Sequence, residues 1–465
     1  MQVDDPHSAS GEAVQETRRL AQFVAETGYH DLPQTVVESV KVYILDNLAS
    51  GFVGSATPWA DMVGRVALES APSGTCSVFA RAWTTSPSYA TLVNGTMIGG
   101  FECDHAFVAG SCHPSGAVFP AVLAIGERER LDGASFLAAV ALGYEVCCRV
   151  GRAATRAVED VRGFHGPGTN APFGSAAGVG KALGLEADLL VNALGIAGSH
   201  GAGLLEFARE GAMTKRLHVA RGAQMGLESA LLAAQGFTGP STVLEGERGF
   251  LRVYSPSPRP DLLLEGLGDT YLLREVTLKA YACHVSFHAV IDGICRFCRT
   301  HAYDPAQLQH VKVVGAPRMM EARYCARKPT SVLGAQYSLP FSTAMALCRN
   351  IENPRLYSEE TLRDPQVRGL AGRIELAEDG NRFGKPGGPV AEVTLALAGT
   401  EHAFEVTDWK GAPSNPYTYR EIAEKFRRYA TPVLPPARCD EIIERIARLE
   451  EEQDVAELAR LLRSG

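Results

Sequence analysis

Gly133 to Arg152 reads GASFLAAVALGYEVCCRVGR. Its apolar residues recur at three- and four-residue intervals, the period of a helix, yet almost every side of that helix is apolar. A helix facing water keeps a polar stripe, so this one belongs in the middle of a large helical assembly. The same texture fills Val36 to Val53, Tyr89 to Gly100, Ser115 to Arg128, Ala171 to Leu183, Ala187 to Glu206 and Leu217 to Gln235. Recurrent Gly and Ala on these segments allow close backbone approach, at up to ~1 kcal/mol of helix propensity per Gly.

The texture changes after Pro256, where Pro258, Pro260 and Asp261 to Asp269 read as a linker. Strand-like runs then occur at Arg274 to Lys279, His310 to Val314, Arg373 to Ala377, Ala391 to Leu397 and His402 to Val406, the last two forming a hairpin around Gly399 and Thr400. Helical patterns at Ser286 to Ala302 and Leu339 to Asn350 lie between them. Strands mixed with helices predict a compact α+β unit. From Tyr419 the chain is helical again, and this tail is expected to pack back onto the helical body.

The chain has 465 residues, with 46% apolar and 21% charged. Ordinary globular domains have roughly 45–50% and about 25%, so disorder and fibrous repeats are excluded. The balance of 45 Lys+Arg against 53 Asp+Glu gives −8 without a run of like charge, which offers nothing to nucleic acid or an anionic membrane. Eleven scattered Cys fit a reduced, cytoplasmic setting, most of them as small buried hydrophobes. Met1 to Gln15 lacks an apolar h-region and reads as a disordered tail. No run of about 18 apolar residues free of charge and frequent Gly is present, so no membrane span is expected.

Motif searches remove several chemistries. Gly178-Val179-Gly180-Lys181 is followed by Ala182, and Ser175 stands where a P-loop needs its first Gly. Gly198 to Gly203 is glycine-rich but lies in a helical stretch without the strand of a dinucleotide fingerprint. Neither HExxH nor GxSxG occurs. Cys295 and Cys298 form a lone CxxC in an apolar helical run, and His284 and His288 share a helical face without a carboxylate beside them, so no metal and no other cofactor is expected.

Polar residues inside apolar segments remain, because burying an unpaired polar group costs several kcal/mol. Glu102-Cys103-Asp104-His105 precedes His113-Pro114-Ser115-Gly116, where Ser115 can cap the helix that follows and leave His113 near its positive end. Gly163 to Thr169 holds His165 before another helix. Thr214-Lys215-Arg216-Leu217-His218 puts cations at a helix start, against the dipole, which calls for an anion. Lys279 to His288 adds Lys279, Tyr281 and His284 at a strand-to-helix junction. Each stretch also has a purely structural reading, as loop residues satisfying backbone groups or a solvated basic turn. Together the residues suit proton transfer next to a carboxylate.

In these stretches the chain resembles the MmgE/PrpD family, which includes 2-methylcitrate dehydratases, cis-aconitate decarboxylases and iminodisuccinate epimerases. The resemblance runs in order through Ile44 to Ala49, Asn94-Gly95-Thr96, His113 to Gly116, Gly163 to His165, Ala193 to Ser199, Thr214 to His218, Gly236 to Phe250, Lys279 to His288 and Gln336-Tyr337-Ser338. It implies a mainly α fold: a large all-helical domain from residues 1–272 and 412–465, an inserted α+β lid at 273–411, commonly a homodimer, and a metal-free site between body and lid. Family functional positions fall on Asp104, His113, His165, Lys215, Lys279 and His284, with Glu102, His105, His218, Tyr281 and Tyr337 as further substrate contacts. Members often read Asp-Phe-Asp-Asp-Thr where this chain has Glu102-Cys103-Asp104-His105-Ala106, which points away from cis-aconitate decarboxylation.

The expected activity is therefore a hydro-lyase on a small hydroxylated di- or tricarboxylic acid. His113, poised by Asp104, takes the proton alpha to a carboxylate, and His284 protonates the departing hydroxide. Lys215, Lys279 and His165 stabilise the enolate, at ~2.7–4 kcal/mol per donor. The same intermediate serves an epimerase or a decarboxylase, and a non-catalytic polyanion-binding scaffold is the reading from a different class.

Overall fold

In a computed structural model of the protein, the Gly133–Ala154 helix starts where the Asp132 carboxylate accepts the Ser135 N–H at 2.8 Å and then runs through the interior. The structure describes residues 15–301, 303–385 and 387–464; all but Gln15 of the expected N-terminal tail lies outside the described residues. The fold is mainly α with a smaller α+β part. Helices Pro114–Glu129 and Gly166–Ala182 pack against Gly133–Ala154, and Lys215–Ala234 packs on Gly166–Ala182. Gly143 permits close approach here: a Cβ there would lie 2.5 Å from Val118 Cγ1 and 2.9 Å from the Gly174 carbonyl.

By length and apolarity the Gly133–Ala154 helix could cross a bilayer, but here it is a core helix with its side chains buried. Its two interior charges have structural partners. Arg149 Nε donates to Glu145 Oε1 at 2.7 Å, and its Nη1 and Nη2 reach the carbonyls of Leu263, Glu265 and Thr270 at 3.0, 3.0 and 2.8 Å. Glu145 in turn accepts the Leu272 and Leu273 N–H groups at 3.1 and 3.0 Å. The segment expected to be a linker is thereby tied to the core, since a buried guanidinium needs all its donors satisfied.

The α+β part holds a four-stranded sheet in the order Ile374–Glu378, Leu308–Gly315, Ala391–Leu397, Thr400–Val406. The first pair is parallel and the others antiparallel. The hairpin turns through Ala398 (φ +50°) and Gly399 (φ +84°), the doubly left-handed geometry that suits two-residue connections. The helix His288–Thr300 covers this hairpin. Returning to the helical part, Tyr419–Ala430 packs on Gln34–Ser55 and Val455–Leu461 on Pro114–Glu129.

Two elements differ from expectation. Arg274 to Lys279 is not a strand: Leu272–Glu275 is a 3-10 turn, and the extended residues after it bond to single loops, Thr277 with Ala106 and Leu278 N–H with the Gly411 carbonyl at 2.9 Å. Those bonds dock Lys279 beside the acidic loop instead. The helix expected over Ala187 to Glu206 ends at Ala197 and tightens into a 3-10 turn at Gly198–His200, after which Gly201 (ψ +117°) and Gly203 (φ +125°) leave the α region.

Candidate active site

Three loops feeding helix starts converge on one small cleft of about 150 Å³. His113 is the residue before the Pro114–Glu129 helix, with Pro114 in its first turn. His165 holds the same position before Gly166–Ala182. His284 begins the turn that leads into His288–Thr300. All three imidazoles line the cleft together with Tyr337, joined by Arg156, Glu159, Arg318, Arg323 and Tyr324.

Behind His113 runs a buried chain of alternating charges. Lys215 Nζ contacts Glu102 Oε1, Glu102 Oε2 and Asp104 Oδ1 each lie 3.0 Å from Lys279 Nζ, and Asp104 Oδ2 lies 2.8 Å from His113 Nδ1. These Lys, Glu and Asp residues are 5% exposed or less, so they stand behind the cleft wall rather than in it. Glu102 reaches the chain from a left-handed backbone, φ +56°. The anion demanded by Lys215 at a helix start is thus the protein's own Glu102. Ser115 does not cap its helix; its hydroxyl accepts the His105 N–H at 3.1 Å.

The partners of His113 fix its tautomer. Nδ1 faces two acceptors, Asp104 Oδ2 and the His105 carbonyl at 2.7 Å, so Nδ1 carries hydrogen and Nε2 is the atom left for a ligand. Burial alone would push the Asp104 carboxyl up, but the charges and hydrogen bonds of His113 and Lys279 outweigh it and hold the group far below the usual carboxylate range. Lys215 is pushed well below its ordinary value by burial and by the Lys279 and Arg216 cations.

On the other walls, burial pushes His165 well below the ordinary imidazole range, reinforced by the neighbouring His218 and His113. Its Nδ1 meets His218 Nδ1 at 3.2 Å, and burial likewise brings His218 down to about 4. His284 is pushed well below its ordinary value by burial and by Lys279 and Lys215. Its Nδ1 accepts the Ser286 N–H at 3.4 Å, which leaves hydrogen on Nε2, 3.2 Å from the Tyr324 hydroxyl. Lys215 Nζ stands 5.5 Å over the Tyr337 ring.

Of the residues singled out from sequence, His113, His165, His284 and Tyr337 line the cleft, while Asp104, Glu102, Lys215 and Lys279 form the chain behind it and His218 supports His165. Two are corrected. His105 points into the interior, its Nε2 3.1 Å from Asp46 Oδ2 and its Nδ1 3.2 Å from the Tyr144 hydroxyl; only its carbonyl serves the site. Tyr281 turns the other way and donates to Asp292 Oδ1 at 2.9 Å, because Asp292 one helical turn beyond His288 is its nearest acceptor. The cationic side of the cleft was missed. Arg156 pairs with Glu159 at 3.0 Å and Arg323 with Glu321 at 2.8 Å, whereas Arg318 has no ion pair among the described residues. Isolated arginines in mixed-charge stretches give no periodic signal that would have marked them.

Among the described residues no group of three or more His, Cys, Asp or Glu is placed to hold a metal. Cys298 Sγ meets the Tyr303 hydroxyl at 3.1 Å, and His288 Nε2 meets the Cys283 carbonyl at 3.3 Å, away from His284. All eleven cysteines are thiols.

The chain is similar along nearly its whole length to curated proteins. A cis-aconitate decarboxylase-like protein of Aspergillus oryzae is 28% identical over 469 residues, covering 96% of this chain and 97% of that protein. The human cis-aconitate decarboxylase is 29% identical over 448 residues, 93% and 91% of the two chains. That of Aspergillus terreus is 26% identical over 474 residues, 96% and 95%. The MmgE/PrpD N-terminal domain matches residues 18–263, which hold His113 and His165, and the MmgE/PrpD C-terminal domain residues 281–450, which hold His284. The chain belongs to the MmgE/PrpD family.

Proposed function

We propose that the protein is a lyase for a small polycarboxylic acid, and that its first reading is decarboxylation of an unsaturated tricarboxylic acid of the cis-aconitate type. The observation that carries this is the Asp104–His113 pair on the cleft wall, with Nδ1 held by two acceptors. A buried carboxylate kept ionised stabilises an imidazolium, which can deliver its Nε2 proton to carbon. In that step the bond to the departing carboxylate breaks, its electron pair stays on carbon conjugated with a neighbouring carboxyl group, carbon dioxide leaves, and His113 protonates the carbon. Arg318, which has no ion pair among the described residues, and the paired Arg156 and Arg323 supply seats for the substrate's remaining carboxylates. The full-length likeness to two cis-aconitate decarboxylases and one cis-aconitate decarboxylase-like protein supports the same reading.

A second reading, elimination of water from a hydroxy acid, is favoured by the cleft wall itself. Ala106, which resemblance to the family marks as a Thr position, lines the cleft and offers no hydroxyl there. In that reaction neutral His113 takes the alpha proton and the His284–Tyr324 pair protonates the leaving hydroxyl.

Purified protein incubated with cis-aconitate and, separately, with citrate-type hydroxy acids tests both. Carbon dioxide release from cis-aconitate that disappears in His113→Gln supports the first reading. Conjugated-alkene absorbance without carbon dioxide selects the second. Neither signal from any of these acids discards both.

A further inference from the structure

Behind the charge chain lies a second buried cluster that no step above uses. Asp46, on the Gln34–Ser55 helix, places Oδ1 2.7 Å from Lys425 Nζ and Oδ2 3.1 Å from His105 Nε2. Lys425, on the Tyr419–Ala430 helix, also donates to the Lys279 carbonyl at 2.7 Å, and its ammonium lies 5.8 and 5.4 Å from the Tyr417 and Tyr429 rings. The far side of His105 is held by the Tyr144 hydroxyl, itself bonded by Asn47 Nδ2 at 2.8 Å. Asp46 and Lys425 are 1% exposed or less, and His105 is fully buried. A buried ion pair is weak evidence for stability, because a well-packed apolar replacement often does as well.

The cluster's two outputs are both backbone carbonyls, and both belong to the active-site chain. Lys425 holds the carbonyl of Lys279, whose ammonium bridges Glu102 and Asp104. Asp46 holds the ring of His105, whose carbonyl accepts the His113 Nδ1 hydrogen. We propose that Lys425 and Asp46 are positioning residues: one buried ion pair, drawn from opposite ends of the chain, sets the two backbone segments that aim the Lys279 ammonium and the His113 imidazole. This rests on the reading of His113 as the proton carrier.

The test uses Lys425→Met and the charge-balanced pair Asp46→Asn with Lys425→Met, which removes the positioning bonds without leaving a buried charge alone. Two readouts are taken beside thermal midpoint: kcat and KM on the acid that the parent turns over, and the ¹H–¹⁵N imidazole signal of His113, assigned by its loss in His113→Gln. In the folded double variant we expect KM within about twofold of the parent and kcat about 10- to 100-fold lower, the scale of a small misplacement of reacting groups. The Nδ1–H resonance of His113 should shift or broaden away. Parental kcat with an unchanged resonance overturns the proposal, and so does failure of both variants to fold, which would make the cluster a structural support. If the parent turns over none of the acids, the functional reading fails by itself, and the resonance alone decides the positioning role.

Discussion

Replacing Asp104 by Asn keeps its volume and deletes one charge from the centre of the buried chain. Asp104 Oδ2 lies 2.8 Å from His113 Nδ1, and both groups spread their charge over several atoms, so an effective separation of ~4 Å applies. At an effective dielectric of about 20 that is ~4 kcal/mol, felt only while His113 is an imidazolium. With ~1.36 kcal/mol per decade of rate, kcat should fall about 10³-fold. A larger loss, from the wrong tautomer, is not expected, because the His105 carbonyl at 2.7 Å still claims the Nδ1 hydrogen. The folded chain holds the Asp104 carboxyl well below its ordinary value, against burial, through His113 and Lys279. Its stabilising contribution is therefore present above the unfolded value of ~3.9 and lost as pH falls through the folded one. Asn should lower the urea midpoint at pH 7, with the gap to the parent closing on acidification below about pH 4. The assay is kcat against pH, paired with urea titrations. An Asn variant within tenfold of the parental kcat would refute the view that this charge supports an imidazolium.

Arg318→Met should raise KM about 10- to 100-fold with kcat within a fewfold, since one charge-assisted bond is worth ~1.5–3 kcal/mol; steady-state kinetics decide, and an unchanged KM removes Arg318 from the binding of carboxylate. Burial holds His165 and His284 neutral in the folded chain, while the unfolded chain protonates them below about pH 6.5, so stability should fall on acidification by up to ~1.4 kcal/mol per pH unit for each. His165→Gln should show a shallower loss of urea midpoint between pH 7 and 5.5, and an identical slope would contradict the buried-neutral assignment. Gly143→Ala should lower the thermal midpoint, because overpacking at ~1–3 kcal/mol exceeds the ~1 kcal/mol gain in helix propensity; a rise would mean that the helices can part at no cost.

The helical part was legible because burial on all sides leaves a plain trace in sequence: the Gly133–Ala154, Gln34–Ser55 and Lys215–Ala234 helices lie within two residues of the ends expected from their apolar texture. The strands Leu308–Gly315 and Ala391–Leu397 were equally plain, through alternation and β-branched residues. What sequence could not supply was side-chain direction. His105 and Asp104 are neighbours in the chain, yet one ring faces Asp46 and the other carboxylate faces His113, a choice made by partners from distant helices. Lys215 and Lys279 were marked for their charge, but whether a lysine meets substrate or an internal carboxylate depends on Glu102, whose left-handed backbone no propensity announces. Tyr324, Arg318 and Arg323 escaped notice because short 3-10 turns carry them without periodicity.

Lys425 stands 146 positions after the Lys279 whose carbonyl it holds, on a helix that follows every residue lining the cleft. During synthesis all three cleft imidazoles would leave the ribosome before that ammonium could dock. Catalytic competence would then arise only in the last stage of assembly.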